Sequence, residues 1–171
     1  MNEGDRVIPL DVAHQFLSTF GATEPTPLYD RRIRPDGFKL SDLHELIGEQ
    51  RFVFAMDWRG FLDDCVPDIV AALAELGTEI LFQVDDDGHT GTLRDGGGRV
   101  ESIGYAPDGG MSFNSVVEAF RRLVPGDIEF RQSPANDGSD GWEYAVLSAG
   151  EWAELEALDP AAVRWMFVPF T

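Results

Sequence analysis

Aspartates supply most of the side chains in this sequence that could do chemistry. Asp57 closes the apolar run Arg51 to Asp57, and Asp85-Asp86-Asp87 follows a second run, Thr78 to Val84. If the two runs are parallel strands joined by the helix between them, these carboxylates share the carboxyl end of a sheet, where ligands collect in open α/β folds. Grouped carboxylates can hold Mg²⁺ through waters, which would make the chain a metal-dependent enzyme. Turn chemistry accounts for the same residues without a ligand, because a short aspartate side chain bonds nearby backbone.

Other constellations lack part of the chemistry they would need. His14, His44 and His89 lack paired ligand spacing, and Cys65 is the only cysteine, so no zinc set forms. Cys65 sits near a predicted helix N-terminus, a place that activates a thiol, although a small buried thiol is the commoner outcome. Counting Asp85-Asp86-Asp87-Gly88 as a calcium loop with Gly88 sixth puts Gln83 first and Arg94 twelfth, which does not fit. Gly96-Gly97-Gly98 lacks the Lys-Ser/Thr that follows a phosphate-binding loop. Asp57-Trp58-Arg59-Gly60-Phe61-Leu62 resembles the first motif of the haloacid dehalogenase-like phosphatases, Asp-x-Asp-Gly-Thr-Leu. The resemblance implies phosphatase activity. Arg59 stands in place of the acid/base aspartate, Phe61 replaces the threonine, and the only lysine, Lys39, lies upstream of the motif. Those departures remove the activity.

The charge balance is the strongest global signal. The 171 residues hold 31 acids and 13 bases, a net charge of −18, and the excess is spread along the chain rather than gathered in a tail. Such a field repels nucleic acid and anionic membranes and steers cationic partners in. Arg31, Arg32 and Arg34 form the only basic cluster. It is expected to dock on the protein's own acids or bind a carboxylate. The single cysteine excludes an internal disulfide framework, and the first residues show no basic-then-apolar leader, so a cytoplasmic location is expected.

Spacing outlines the elements that must position these residues. Val12, Phe16 and Phe20 mark a helix over Leu10 to Phe20. Pro25, Pro27 and Pro35 read as a loop or extended arm from Gly21 to Gly37, and Ser41 or Asp42 opens a short helix ending at Gly48. Asp63 or Asp64 caps a helix, with Pro67 in its first turn and Gly77 at its end. Strand, helix and strand over Arg51 to Val84 predict a parallel βαβ crossover. A hairpin then turns at Asp95 to Gly98, joining Thr90–Arg94 to Arg99–Ala106. A helix through Phe113 to Leu123, paired strands Asp127–Gln132 and Trp142–Leu147, a helix Gly150–Leu158 and a strand Val163–Phe170 complete the pattern. The expected fold is α+β, one domain over 1–171: a helical N-terminal segment with a proline-rich arm over 1–38, then a core over 39–171. That core is a mixed sheet with the βαβ unit and hairpin, and helices packed on it.

These traits predict a non-catalytic protein that needs no cofactor or metal and works on another protein's surface. The favoured reading is an acidic inhibitor of the bacterial immunity type, occluding the active site of a basic toxin, for example a nucleic-acid-directed enzyme. Its candidate contacts are acids beside aromatics: Asp85, Asp86 and Asp87; Asp137, Asp140, Trp142 and Glu143; and Glu151, Trp152 and Glu154. The alternatives are the metal-dependent enzyme above and an accessory or scaffold domain.

Overall fold

The computed structural model describes residues 2–23, 27–57, 59–105, 113–134 and 141–170. It is an α+β fold in which every strand pairing among the described residues is antiparallel. After a short 3-10 turn, Glu3–Asp5, strand β1 (Val7–Ile8) leads into helix α1 (Leu10–Thr19). α1 turns Ala13, Phe16 and Leu17 inward and stops at Phe20, before Gly21 at φ +96°. The segment expected to be an extended arm contains a helix, α2 (Pro27–Arg32). Proline suits a first helical turn because its fixed φ is helical and its missing N–H is not needed there. Arg32 holds α2 to the next helix through Asp42 at 3.5 Å and Glu45 at 2.8 Å.

Strand β2 (Phe38–Lys39) pairs with β1 and feeds α3 (Leu40–Gly48). Strand β3 (Val53–Asp57) follows, then α4 (Leu62–Glu75). α4 begins earlier than the aspartate caps suggested. Asp64 is its third residue, and its carboxylate accepts from the Phe61 N–H at 2.7 Å. Pro67 therefore lies in the second turn, inside the helix. Gly77 at φ +81° ends α4, with Thr78 N–H on Leu73 O at 2.9 Å and Gly77 N–H on Ala74 O at 3.0 Å, which satisfies two terminal carbonyls.

Strands β4 (Ile80–Val84), β5 (Thr90–Asp95) and β6 (Val100–Gly104) form a three-stranded meander, so the hairpin at Asp95 is present. Helix α5 (Asn114–Leu123) buries Val116, Val117, Phe120 and Leu123. Strands β7 (Ile128–Gln132) and β8 (Gly141–Ser148) pair with each other. Helix α6 (Ala149–Leu158) starts at a capping box between Ser148 and Glu151.

The expected parallel crossover is not formed. β3 and β4 belong to different sheets, and the four-stranded sheet runs β3-β8-β7-β9, with β9 spanning Val168–Pro169. β8 takes the place beside β3 because its Tyr144, Ala145, Val146 and Leu147 are all buried, so it needs a neighbour on each edge and cover on each face. The last predicted strand is also mostly helix: α7 (Pro160–Met166) precedes the short β9. Asp159 accepts from the Ala162 N–H at 2.9 Å and Pro160 is the first helical residue, a start signal that outweighs the β propensity of Val163 and Trp165. Tyr105 joins the two sheets. It is buried against Phe113 and Trp142, and its hydroxyl donates to Asp57 O at 3.4 Å. No helix among the described residues is long and apolar enough to cross a membrane.

One ion pair ties the N-terminus to the α6–α7 junction: Arg6 meets Asp159 at 2.7 and 3.2 Å. Burial pushes the Asp159 carboxyl up, but the hydrogen bonds from Arg6 and the α7 backbone, with the Arg6 charge, hold it below the ordinary range. A depressed carboxyl adds stability above its unfolded value of about 3.9 and loses it as the pH falls through the lower folded value. Arg6→Met is expected to cost about 1.5–3 kcal/mol in urea unfolding at pH 7, with the gap from the parent narrowing below about pH 4. A gap that does not change with pH would show that the arginine acts by packing alone.

Candidate functional site

The segment that follows β3 meets the turn that follows β4, although the strands lie in different sheets. Leu62, the first residue of α4, donates its N–H to Gly88 O at 2.9 Å, which docks the β4–β5 turn on the start of the helix. The Phe61 ring lies 4.9 Å from the His89 ring, tilted by 30°. Asp57, Asp63, Asp64, Asp85, Asp86 and Asp87 are all exposed around this junction. Phe61, 47% exposed, sits among them. Phe61 was not a candidate on sequence. Its signal was position, a large apolar residue between Gly60 and the first helical residue.

Two aspartates of the triplet build the turn that presents them. Asp87 Oδ1 accepts from the N–H groups of His89 and Thr90 at 2.8 and 3.1 Å, and Asp85 Oδ2 accepts from the Thr90 hydroxyl at 2.6 Å. The backbone bonds from His89 and Thr90 lower the Asp87 carboxyl below the usual range, so it stays ionised. Asp57 Oδ1 accepts from the Arg59 N–H at 2.8 Å. Among the described residues no three His, Cys, Asp or Glu side chains are placed to hold a metal ion. The aspartates are arranged as turn acceptors with one outward edge of charge.

Salt bridges among the described residues fall elsewhere. Arg6, Arg32, Lys39, Arg51, Arg99, Arg122 and Arg131 pair with carboxylates outside this group. Those seven cations are engaged away from the junction, where Arg59, bonded through its N–H to Asp57, and His89 are the basic residues beside the aspartates.

The other candidate contacts separate. Asp137 and Asp140 lie outside the described residues. Trp142 is half-buried against Tyr105. The Glu143 carboxylate is engaged by His44 Nε2 at 2.7 Å. Ser133, buried, brings its hydroxyl to the same nitrogen at 3.5 Å. A serine–histidine–carboxylate relay needs the nucleophile and the carboxylate on different ring nitrogens. Here both meet Nε2, so the cluster is a polar tie between α3 and β8, walled by Trp165 and Phe167. Sequence separation hid it, since His44 and Glu143 are 99 residues apart.

The third patch is corrected by burial. Trp152 is 1% exposed, donates Nε1–H to Glu129 O at 3.0 Å, and lies under the Arg131 guanidinium at 4.3 Å. It is a core residue and cannot anchor a partner. Glu151 is spent on the Ser148 cap, which leaves Glu154 as the exposed member of that patch. Cys65 is buried too, and burial, with Asp68 and Asp64 adding to it, pushes its thiol up to about 12.

Comparison with family models, with curated proteins and with solved structures finds no match for the chain.

Two outcomes check these placements. Cys65 is expected to resist a disulfide-exchange reagent at pH 8 in the native protein and to react fully after unfolding; native labelling would contradict its burial. Trp152→Ala is expected to cost about 3–5 kcal/mol in denaturant unfolding, where a surface tryptophan would cost less than about 0.5 kcal/mol.

Proposed function

We propose that this protein is an acidic protein-binding inhibitor of the immunity type, which docks on a basic surface of a partner and covers its active site. The observation that carries the reading is the acidic junction with exposed Phe61 packed on its turn at His89. Binding hot spots pair a large apolar anchor with a rim that excludes water, and aromatic residues are favoured there. Exposed aspartates around the anchor attract a cationic surface over long range and raise the association rate. An enzyme acting on nucleic acid presents such a surface, because it must hold phosphates. The partner class is therefore a basic, nucleic-acid-directed enzyme.

Asp85 and Asp87 also hold their turn, so neutralisation by asparagine is the informative change: it keeps the acceptor oxygen and removes the charge. The tagged protein and its Asp85→Asn, Asp86→Asn, Asp87→Asn variant are exposed side by side to a lysate of the source organism at low salt. The parent is expected to retain one basic protein in near-stoichiometric amount, released by salt, and to suppress that protein's activity. The variant is expected to associate about tenfold more slowly or worse. Equal capture by both would remove the acidic junction as the docking site, and a captured protein whose activity is unaffected would remove inhibition.

A further inference from the structure

We propose that β4 is a docking edge, at which an extended segment of the partner adds as a fourth strand to the β4-β5-β6 sheet. The inference deepens the reading above and rests on the partner being basic.

The register leaves one side of β4 open. Asp85 N–H bonds Thr90 O at 2.8 Å, and the ladder runs from Ile80 opposite Asp95 to Val84 opposite Gly91. Antiparallel bonding pairs alternate, so Leu81 and Gln83 turn their backbone groups to β5, and Ile80, Phe82 and Val84 turn theirs away. Among the described residues, no hydrogen bond reaches the N–H or C=O of Phe82. The strand is also accessible: Leu81 is 61% exposed and Phe82 38%, and their side chains lie on opposite faces. Leu81, Phe82, Gln83, Thr92 and Arg94 line a shallow hollow of about 230 Å³, a seat for a side chain of an added strand.

Exposed edges are normally blunted by charge, proline or a bulge, or are covered. The other edges fit that pattern better. On β3, Val53 N–H bonds Gln50 O, and Asp57 O takes both Gly60 N–H and the Tyr105 hydroxyl. On β6, Gly104 O accepts from the Ser115 hydroxyl. β9 is two residues long. β4, Ile-Leu-Phe-Gln-Val, has no charge and no proline in a chain where 26% of residues are charged.

Charge at its two ends selects the occupant. Glu79 precedes β4 and Asp85-Asp86-Asp87 follow it, all exposed. A second copy paired antiparallel about Phe82 would set Glu79 beside its partner's Asp85, and parallel pairing in register would set like on like. Both arrangements are repulsive. An extended segment with an apolar middle and a basic residue at each end satisfies the open backbone groups, the exposed side chains and both acidic ends together.

The probe is the capped peptide Lys-Val-Thr-Val-Thr-Val-Lys, whose two lysines are spaced to meet Glu79 and Asp85. Amide exchange and chemical shifts are followed residue by residue in the isotope-labelled protein. The Phe82 amide is expected to gain about tenfold or more in protection on peptide addition, with the Ala55 amide on β3 unchanged. Peptide N-methylated on the face toward β4, and peptide ending in glutamates, are each expected to bind about tenfold more weakly or worse, as is the parent peptide to Leu81→Lys. Shifts at the Asp85 to Asp87 amides without protection at Phe82 would overturn strand addition and leave the acidic-junction reading intact. Equal binding of the N-methylated peptide would overturn it as well. Protection at Phe82 in a protein that captures no basic partner would support the edge and count against the partner class.

Discussion

Thirty-one carboxylates must be held in one fold with thirteen cations, and the placement of those few cations organises much of the molecule. Most are spent as ties between elements distant in sequence. Arg6 joins the N-terminus to Asp159, Arg32 joins α2 to α3, Arg51 joins β3's entry to Glu75 of α4, and Arg122 joins α5 to Glu101 of β6. Arg131 is the extreme case. It is buried, flanked by Glu129 and Glu156 at 2.8 and 2.6 Å, and stacked on Trp152. Arginine suits this duty because its flat, weakly hydrated head bonds carboxylates and lies on an aromatic face at once. Other carboxylates are absorbed by backbone donors: Asp64 and Glu151 at helix starts, Asp87 and Asp95 in turns. Asp57, Asp63, Asp64 and the triplet Asp85 to Asp87 are among the carboxylates outside these salt bridges, and they make up the candidate site.

The second constraint is β8. Its buried centre must be paired on both edges, and it takes β3 and β7 as neighbours. Taking β3 removes the partner that β4 would have had in a parallel crossover. The meander β4-β5-β6 then closes on its own, attached to the main sheet through α4, α5 and Tyr105, with one apolar strand at its margin. An open edge there is a consequence of how the core is satisfied, and its closeness to the acidic junction follows from the hydrogen bond between Leu62 and Gly88.

Local structure was legible in the sequence wherever a single turn or periodicity decided it. The four-residue steps of α1, the stop at Gly77, the hairpin at Asp95 and the spacing of α5 all reappear in the fold. Partnering was not legible, because β3 meets β8 about ninety residues later and pattern alone cannot rank distant strands. Helices α2 and α7 were hidden by composition, three prolines in one case and β-formers in the other, although Pro27 and Asp159-Pro160 are helix starts. Trp152 reads as a surface anchor on sequence because acids flank it. Its spacing to Leu155, on the same helical face, was the better guide to burial. Phe61 was overlooked because an isolated apolar residue beside a glycine has no periodicity to declare itself.

The acidic junction and the β4 edge would contribute to binding in different ways. Charge acts over a Debye length of about 8 Å in physiological salt and weakens as salt rises, so it governs how fast partners meet. Backbone pairing and buried apolar side chains act only in contact and barely sense salt, so they govern how slowly partners part. Asp85 stands at the boundary of the two, ending β4 through its bond to Thr90 O and opening the acidic turn through its bond to the Thr90 hydroxyl. A segment steered to the turn by its basic residue would arrive beside the open groups of Phe82. Attraction without the edge would leave a loose, salt-labile encounter with any cationic surface, and the edge without attraction would accept many extended chains. Their adjacency would let one short stretch of sequence, Glu79 to Asp87, both recruit a cationic partner and discriminate among partners by strand shape.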